Sequence, residues 1–303
     1  MALAIVAWCL VVVGALVRAH GAGLACPDWP LCFGDAIPAF DLRIAFEWGH
    51  RALAGSVSLA LVALAAYMLW TRALRERFLR PLAAIFAVLG VQIILGALTV
   101  LLGLPPWTVT AHLLTGNAFV IALFWLAFAL LESARPVALE RPRVPPGVAQ
   151  IVFACAVLVV LQIALGGLVA SHYAGLACST FPLCNGDSLA PALTGQVGLQ
   201  VVHRLNAYAL ALAVGLLAWR TRGLGRIGAL AGATFALVLL QGIVGVANVL
   251  LRLPVEVTGA HSALATAIAL ATALLVRETL TARASATSPA RSAGGGIALE
   301  GVR

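Results

Sequence analysis

The chain has no lysine and little charge of any kind: of its 303 residues 10% are charged, and all 19 basic residues are arginine. An ordinary soluble domain carries roughly 25% charged residues, so one or two water-soluble domains would lack the polar surface they need. Disorder is excluded outside short tails, because 62% of the residues are apolar and the mean hydropathy is +1.05. A polytopic membrane protein remains. The formal net charge of +8 does not indicate nucleic acid, because the arginines are scattered through short segments between long apolar runs.

Eight apolar stretches approach or reach the roughly 20 residues that span a bilayer: 2–17, 49–70, 81–102, 108–131, 148–170, 197–219, 228–250 and 256–276. They are continuously apolar and rich in Leu, Ala and Val, whereas barrel strands alternate over about ten residues. The expected fold class is all-α with eight transmembrane helices. Arginine sets the orientation. Arg72, Arg75, Arg77 and Arg80 follow the second span, Arg135, Arg141 and Arg143 the fourth, Arg220, Arg222 and Arg226 the sixth, and Arg277 and Arg283 the eighth. These segments are expected in the cytoplasm, with both termini. The other loops hold Arg18, Arg43 and Arg252, with Arg51 and Arg204 at helix entrances, and every Asp: Asp28, Asp35, Asp41 and Asp187. They are expected on the outer side of the cell (cytoplasmic) membrane. No basic residue precedes the short first span, which leaves an upstream start open. Gly23-Leu24-Ala25-Cys26 superficially resembles a lipoprotein cleavage site, but the same four residues recur at Gly175 to Cys178, deep in the chain.

That recurrence belongs to a repeat. Residues 14–35 align without a gap at an offset of 152 with 166–187, and the match continues. His50-Arg51 returns as His203-Arg204, Gln92 and Gly96 as Gln241 and Gly245, Leu104-Pro105 as Leu253-Pro254, and Ala111-His112 as Ala260-His261. Four spans per half in the same orientation make this a parallel duplication about an axis along the membrane normal. The expected organisation is a four-helix half over 1–135, a Pro-containing cytoplasmic linker over 136–147, a second half over 148–279 and a disordered cytoplasmic tail over 280–303.

All six histidines obey the repeat: His20 with His172, His50 with His203, His112 with His261. Ionisable residues within spans are costly and usually functional. His50 and His203 open the second helix of their halves, and His112 and His261 the fourth, all on the outer side. Each half therefore presents two histidines at similar depth, which can meet one metal from opposite sides, as two imidazoles hold an iron porphyrin in a bundle. A lone interfacial histidine bonded to a backbone carbonyl is the alternative for any one of them, but it does not require the pairing. His20 and His172 lie in the outer loops, with a loop hydrogen bond and a role at the mouth of the site both open.

The halves differ in one carboxylate. Glu47 lies one turn before His50 on the same face, whereas Gln200 stands before His203. Glu47 is read as a proton acceptor or as a helix N-terminal cap favoured by the dipole. Cys26 with Cys32 and Cys178 with Cys184 each enclose five residues in an outer loop, where oxidising surroundings favour a disulfide. Zinc would need further ligands at recognisable spacing. Cys9 and Cys155 lie in apolar spans and are expected to be small buried residues.

Eight spans in two homologous halves, the Glu47-Trp48-Gly49-His50-Arg51 segment, His112, His203-Arg204, His261 and the paired loop cysteines together resemble the heme A synthase family over nearly all of the chain up to about residue 276. The resemblance implies an integral membrane oxidoreductase that converts the C8 methyl of heme O to the formyl of heme A for the terminal oxidase. It implies Glu47 as the catalytic residue, His50 and His112 as the histidines of the substrate heme, and His203 and His261 as axial ligands of a heme b that relays electrons. Arg51 and Arg204 are candidates for heme propionates, which a guanidinium meets bidentately, or for interfacial snorkelling. The loop disulfides would brace the outer rim, and in the family the N-terminal pair has been linked to activity. Implied partners are heme O, the farnesyltransferase that makes it (heme O synthase), cytochrome c oxidase assembly and membrane lipid; a second copy of the chain is a further candidate. The absent basic leader departs from the family's pattern.

A diheme electron carrier explains four paired histidines equally well, but not a carboxylate present in one half and replaced in the other. A transporter with parallel repeats is disfavoured by the lack of a charged residue at midspan.

Overall fold

The computed structural model describes residues 1–134, 144–185 and 193–287, with side chains to 282. Arg135, Arg141, Arg143, Asp187, most of the expected linker, the Arg283 side chain and the final residues lie outside the described residues. Among the described residues the regular structure is helical, in eight helices: α1 (Ala2–Ala19), α2 (Leu42–Trp70), α3 (Arg72–Leu101), α4 (Pro106–Ala134), α5 (Val148–Ser171), α6 (Gly195–Arg220), α7 (Gly225–Leu250) and α8 (Val255–Thr287). All eight are long and apolar enough to cross a membrane, and this is a multi-pass membrane protein. Large apolar side chains stand exposed on the outer faces, among them Leu59, Ile94, Leu212 and Ile243. Such a surface suits lipid as solvent and no other.

Several helices begin earlier than their apolar runs. The α2 helix starts at Leu42 because Asp41 caps it, accepting from the backbone N–H groups of Arg43 and Ile44. This overturns the capping alternative for Glu47, which lies beyond the first turn. It also corrects the depth of the histidines. His50 and His203 are each the ninth residue of their helix, about 12 Å along it, and His112 and His261 each the seventh, about 9 Å along. At the other end, α8 runs on to Thr287, past the expected boundary at 279.

Within each half, neighbouring helices form a closed ring: α1 packs on α2, α2 on α3, α3 on α4 and α4 back on α1, and α5 to α8 do the same. The halves meet through α1 with α8, α4 with α5, and α4 with α8. Exchanging α1 for α5 and α4 for α8 maps this pattern onto itself, as a two-fold axis would. Ridge positions follow helical spacing, with Val57, Leu61, Ala65 and Met68 on α2 facing Phe78, Leu82, Ile85 and Leu89 on α3 in one core. Small residues set the approach between halves, because lipid tails offer no hydrophobic drive to association. A Cβ at Gly167 would stand 3.2 Å from Thr110 of α4, and one at Gly259 would stand 2.8 Å from Leu16 of α1.

Arginine hydrogen bonds tie the halves at opposite ends. Arg18 donates to Ala170 O at 3.0 Å and to the Tyr173 hydroxyl at 3.2 Å. At the far end Arg277 of α8 holds Glu132 of α4 bidentately at 2.8 and 2.7 Å. The Arg277 side chain is 12% exposed and that of Glu132 34%, so water screens the pair in part while the bidentate geometry lets each charge-assisted bond contribute. Arg277→Met is expected to lower stability in detergent by about 2 kcal/mol. A double-mutant cycle with Glu132→Gln checks this, and a coupling near zero would reduce the pair to a surface contact.

Candidate functional site

His50 and His112 come from α2 and α4, which lie across the first ring and make no direct helix contact; His203 and His261 occupy the same places on α6 and α8. A glycine on the adjacent helix receives every ring. A Cβ at Gly14 would lie 3.0 Å from His50 Cε1, at Gly96 3.1 Å from His112, at Gly166 3.4 Å from His203 and at Gly245 3.2 Å from His261. These seats obey the repeat, Gly14 with Gly166 and Gly96 with Gly245. The repeat alignment contains them, but without helix depth they carry no assigned role.

The Nδ1 atoms of His50, His112 and His261 are buried without a hydrogen-bond partner. Buried polar atoms are normally satisfied, and an orphan costs on the order of 1–3 kcal/mol. His112 meets the Gln92 amide nitrogen through its other ring nitrogen, 3.4 Å away, so three orphaned Nδ1 atoms on rings of the two bundles remain, and they point to a ligand. Among the described residues no three His, Cys, Asp or Glu side chains converge, so the protein offers two ligands per half. A metal there needs its remaining positions filled by something other than side chains, and a macrocycle with two axial imidazoles fits that donor set.

Glu47 is 4% exposed, with both carboxylate oxygens engaged. Oε1 takes the Arg51 guanidinium at 2.6 Å and Oε2 accepts the Cys26 backbone N–H at 2.8 Å. Arg51 goes on to donate to Asp28 O at 2.7 Å, Leu31 O at 2.6 Å and Cys26 O at 3.2 Å. In the other half Arg204 donates to Thr180 O at 3.0 Å and Cys178 O at 2.8 Å. Both arginines, expected at propionates or as snorkelling residues, are thus placed beneath the outer loops and hold their carbonyls. Gln200 donates to Gly175 O at 3.2 Å, and its Oε1 has no partner.

Both loops carry the expected disulfides, Cys26–Cys32 and Cys178–Cys184. Cys155 is buried as expected, but Cys9 is exposed, on the outer face of α1. His20 and His172 cap the ends of α1 and α5, and each ring Nδ1 meets a backbone carbonyl, Leu16 O at 2.9 Å and Leu168 O at 3.0 Å. His20 also stacks on Phe46.

The first loop is closed by Asp28, which accepts from the backbone N–H groups of Gly34 and Phe33, both at 2.7 Å. The Gly34 N–H foremost, with Phe33 and the nearby Arg51 charge, holds the Asp28 carboxyl below its ordinary 3.8 against desolvation. A depressed carboxylate adds stability above its unfolded value and loses it as pH falls through the folded one. Protection factors for amide hydrogen exchange over residues 28–34, taken relative to the intrinsic rate at each pH, are thus expected to stay unchanged from neutral pH down to 4 and to fall only below 3.8; a fall between pH 6 and 5 would contradict this. In the second loop Asn185 does the corresponding work from the other side, accepting from Ser179 N at 3.0 Å.

A family model described as cytochrome oxidase assembly protein matches residues 1–45 and 39–274. A heme A synthase of Methylobacterium nodulans is 32% identical over 257 residues, covering 77% of this chain and 69% of the relative. One of Shewanella oneidensis is 29% identical over 295 residues, covering 84% and 87%. One of Symbiobacterium thermophilum is 33% identical over 219 residues, covering 69% of each. With the family model spanning most of the chain and relatives of one description along the same length, this chain belongs to the heme A synthase family.

Proposed function

We propose that this protein is an oxidoreductase that converts the C8 methyl of heme O to the formyl of heme A, with heme O held between His50 and His112. His203 and His261 would hold a resident heme b, which when bound supplies one-electron transfer through a six-coordinate iron. The observation that carries this reading is the half-buried pair of histidines at equivalent helix positions in each half, combined with a carboxylate in one half alone. Glu47, one turn from His50, is the group that takes protons as the methyl carbon is oxidised, and Gln200 leaves the other half without that capacity. Arg51 keeps the carboxylate oriented, and the Cys26–Cys32 loop above it limits water access at the outer rim. The loops with disulfides face outward and the arginine-rich helix ends inward. Family membership supports a place in cytochrome oxidase assembly.

The test is chromatography of the hemes extracted from the full chain after co-expression with a farnesyltransferase that supplies heme O. Heme A or a hydroxylated precursor beside heme b is the expected result. Heme b alone would assign the protein as a diheme electron carrier.

A further inference from the structure

A cavity of about 340 Å³ opens at the outer end of the second bundle, between the end of α5 and the start of α6. Leu168, Leu199 and Gly195 form its apolar walls, and His172 and Gln196 are its polar groups. Small-molecule sites run from roughly 300 to 1,000 Å³ and have this make-up, mostly apolar with a few placed polar groups. The cavity lies above His203. Leu199 precedes that histidine by four residues and Gln196 by seven, so the three share one face of α6 along about 11 Å of helix.

The backbone orients both polar groups. His172 Nδ1 lies 3.0 Å from the Leu168 carbonyl. A carbonyl only accepts, so Nδ1 carries the hydrogen, and Nε2 accepts when the ring is neutral and donates when it is protonated. Gln196 donates one amide hydrogen to His172 O at 2.6 Å, which leaves its second amide hydrogen for another acceptor. In the first half the same place is filled. Phe46 is the counterpart of Leu199, as Glu47 is of Gln200, and its ring stacks on His20 with centroids 4.0 Å apart.

Adding a water oxygen to a methyl group, and then oxidising the alcohol to an aldehyde, each release two electrons and two protons, which need an acceptor. We propose that this cavity binds a lipid-soluble quinone, one molecule of which accepts the electrons of each step. The proposal rests on the reading that His203 and His261 hold a heme b through which electrons leave the other half. A quinone is an apolar ring with two carbonyl oxygens, so the leucines suit its faces while Gln196 and protonated His172 donate to its oxygens. On reduction two electrons enter the ring, both C=O groups become C–O–H, and two O–H bonds form. His172 Nε2 gives one proton and water at the outer mouth the other. Nε2, now neutral, accepts from the quinol hydroxyl until the quinol leaves.

The experiment uses the full chain with heme b in lipid nanodiscs. Azido derivatives of a short-tailed benzoquinone and a short-tailed naphthoquinone are photolysed with it, and the corresponding quinols are mixed with the ferric protein while absorbance follows heme reduction. Labelling by either probe is expected within residues 168–199, suppressed by excess unlabelled quinone. Leu199→Phe installs the residue of the first half. It is expected to bring labelling to background and to slow reduction by quinol about tenfold or more, with heme content and the dithionite-reduced spectrum unchanged. His172→Gln is expected to slow that reduction about tenfold, the worth of one hydrogen bond to a charged group, while labelling persists. Labelling elsewhere, labelling that unlabelled quinone does not suppress, as in a cleft for acyl chains, or parent-rate reduction in both variants would each overturn the proposal. Labelling does not require heme, so the premise is read apart from the site: a His203→Ala chain that kept its low-spin heme would overturn the electron route, whereas suppressible labelling of the same chain would still support the quinone site.

Discussion

Replacing Glu47 with glutamine is expected to lower heme A formation by about 10²–10⁴-fold while the protein stays folded and the C-terminal heme stays bound. The substitution is nearly isosteric, and the repeat already carries it at Gln200. Arg51 is not stranded by it, because three loop carbonyls still accept from its guanidinium. What disappears is a group that can take a proton one turn from His50. The opposite change behaves differently. Arg51→Met would leave a carboxylate whose side chain is 5% exposed with the Cys26 N–H as its remaining described partner, and breaking a buried pair from that side costs about 3–5 kcal/mol. Extracted hemes and thermal midpoints in detergent, measured on both variants, separate the roles. Glu47→Gln should lose product and keep its midpoint, whereas Arg51→Met should lose stability first. Full heme A production by Glu47→Gln would reduce the carboxylate to a brace for the disulfide loop.

The fold was legible because lipid imposes a simple rule, that about 20 consecutive apolar residues make a span. The same rule misplaced the helix starts. Arg43, Glu47, His50 and Arg51 dilute the apolar run at the head of α2, yet they sit inside the helix, where the first loop folds down on Glu47 and Arg51. A hydropathy run cannot register a charge neutralised by carbonyls twenty residues upstream. The histidine pairs were legible through duplication, which turns four isolated residues into two equivalent constellations. Their surroundings were not. Gly14 and Gly96 read as ordinary small residues until α1 and α3 are set beside the rings, and Gln162 reads as a polar interruption in an apolar span until Asn206 is seen to hold it. The arginines after the key histidines suggest anion binding by type; Arg51 meets the Glu47 carboxylate, and both arginines also hold loop carbonyls.

The glycine seats permit a test of which half does what. A Cβ at Gly96 would lie 3.1 Å from His112 Cε1, and one at Gly245 would lie 3.2 Å from His261 Cε1. Carbon pairs prefer roughly 3.5–4.0 Å, so even alanine presses the ring. Valine adds two methyl groups to a position where α3 and α4, or α7 and α8, are already in contact. The helices cannot part without losing packing along their length, so the imidazole must turn out of line instead. Overpacking of this kind costs about 1–3 kcal/mol, and because 1.4 kcal/mol is a factor of ten, the affected half should bind its heme about 5- to 100-fold more weakly. Gly245→Val is expected to empty the C-terminal half of heme b while heme O still binds the other half. Gly96→Val is expected to do the reverse, keeping heme b and losing heme O. Heme stoichiometry by extraction, with and without a heme O source, reads both outcomes. The effect should also be local, since the two seats lie in separate rings joined through α1, α4, α5 and α8, and neither α3 nor α7 belongs to that interface. Loss of both hemes from either variant would mean that the halves do not bind independently. Retention of both would mean that the rings turned toward Gly96 and Gly245 are not the ligands.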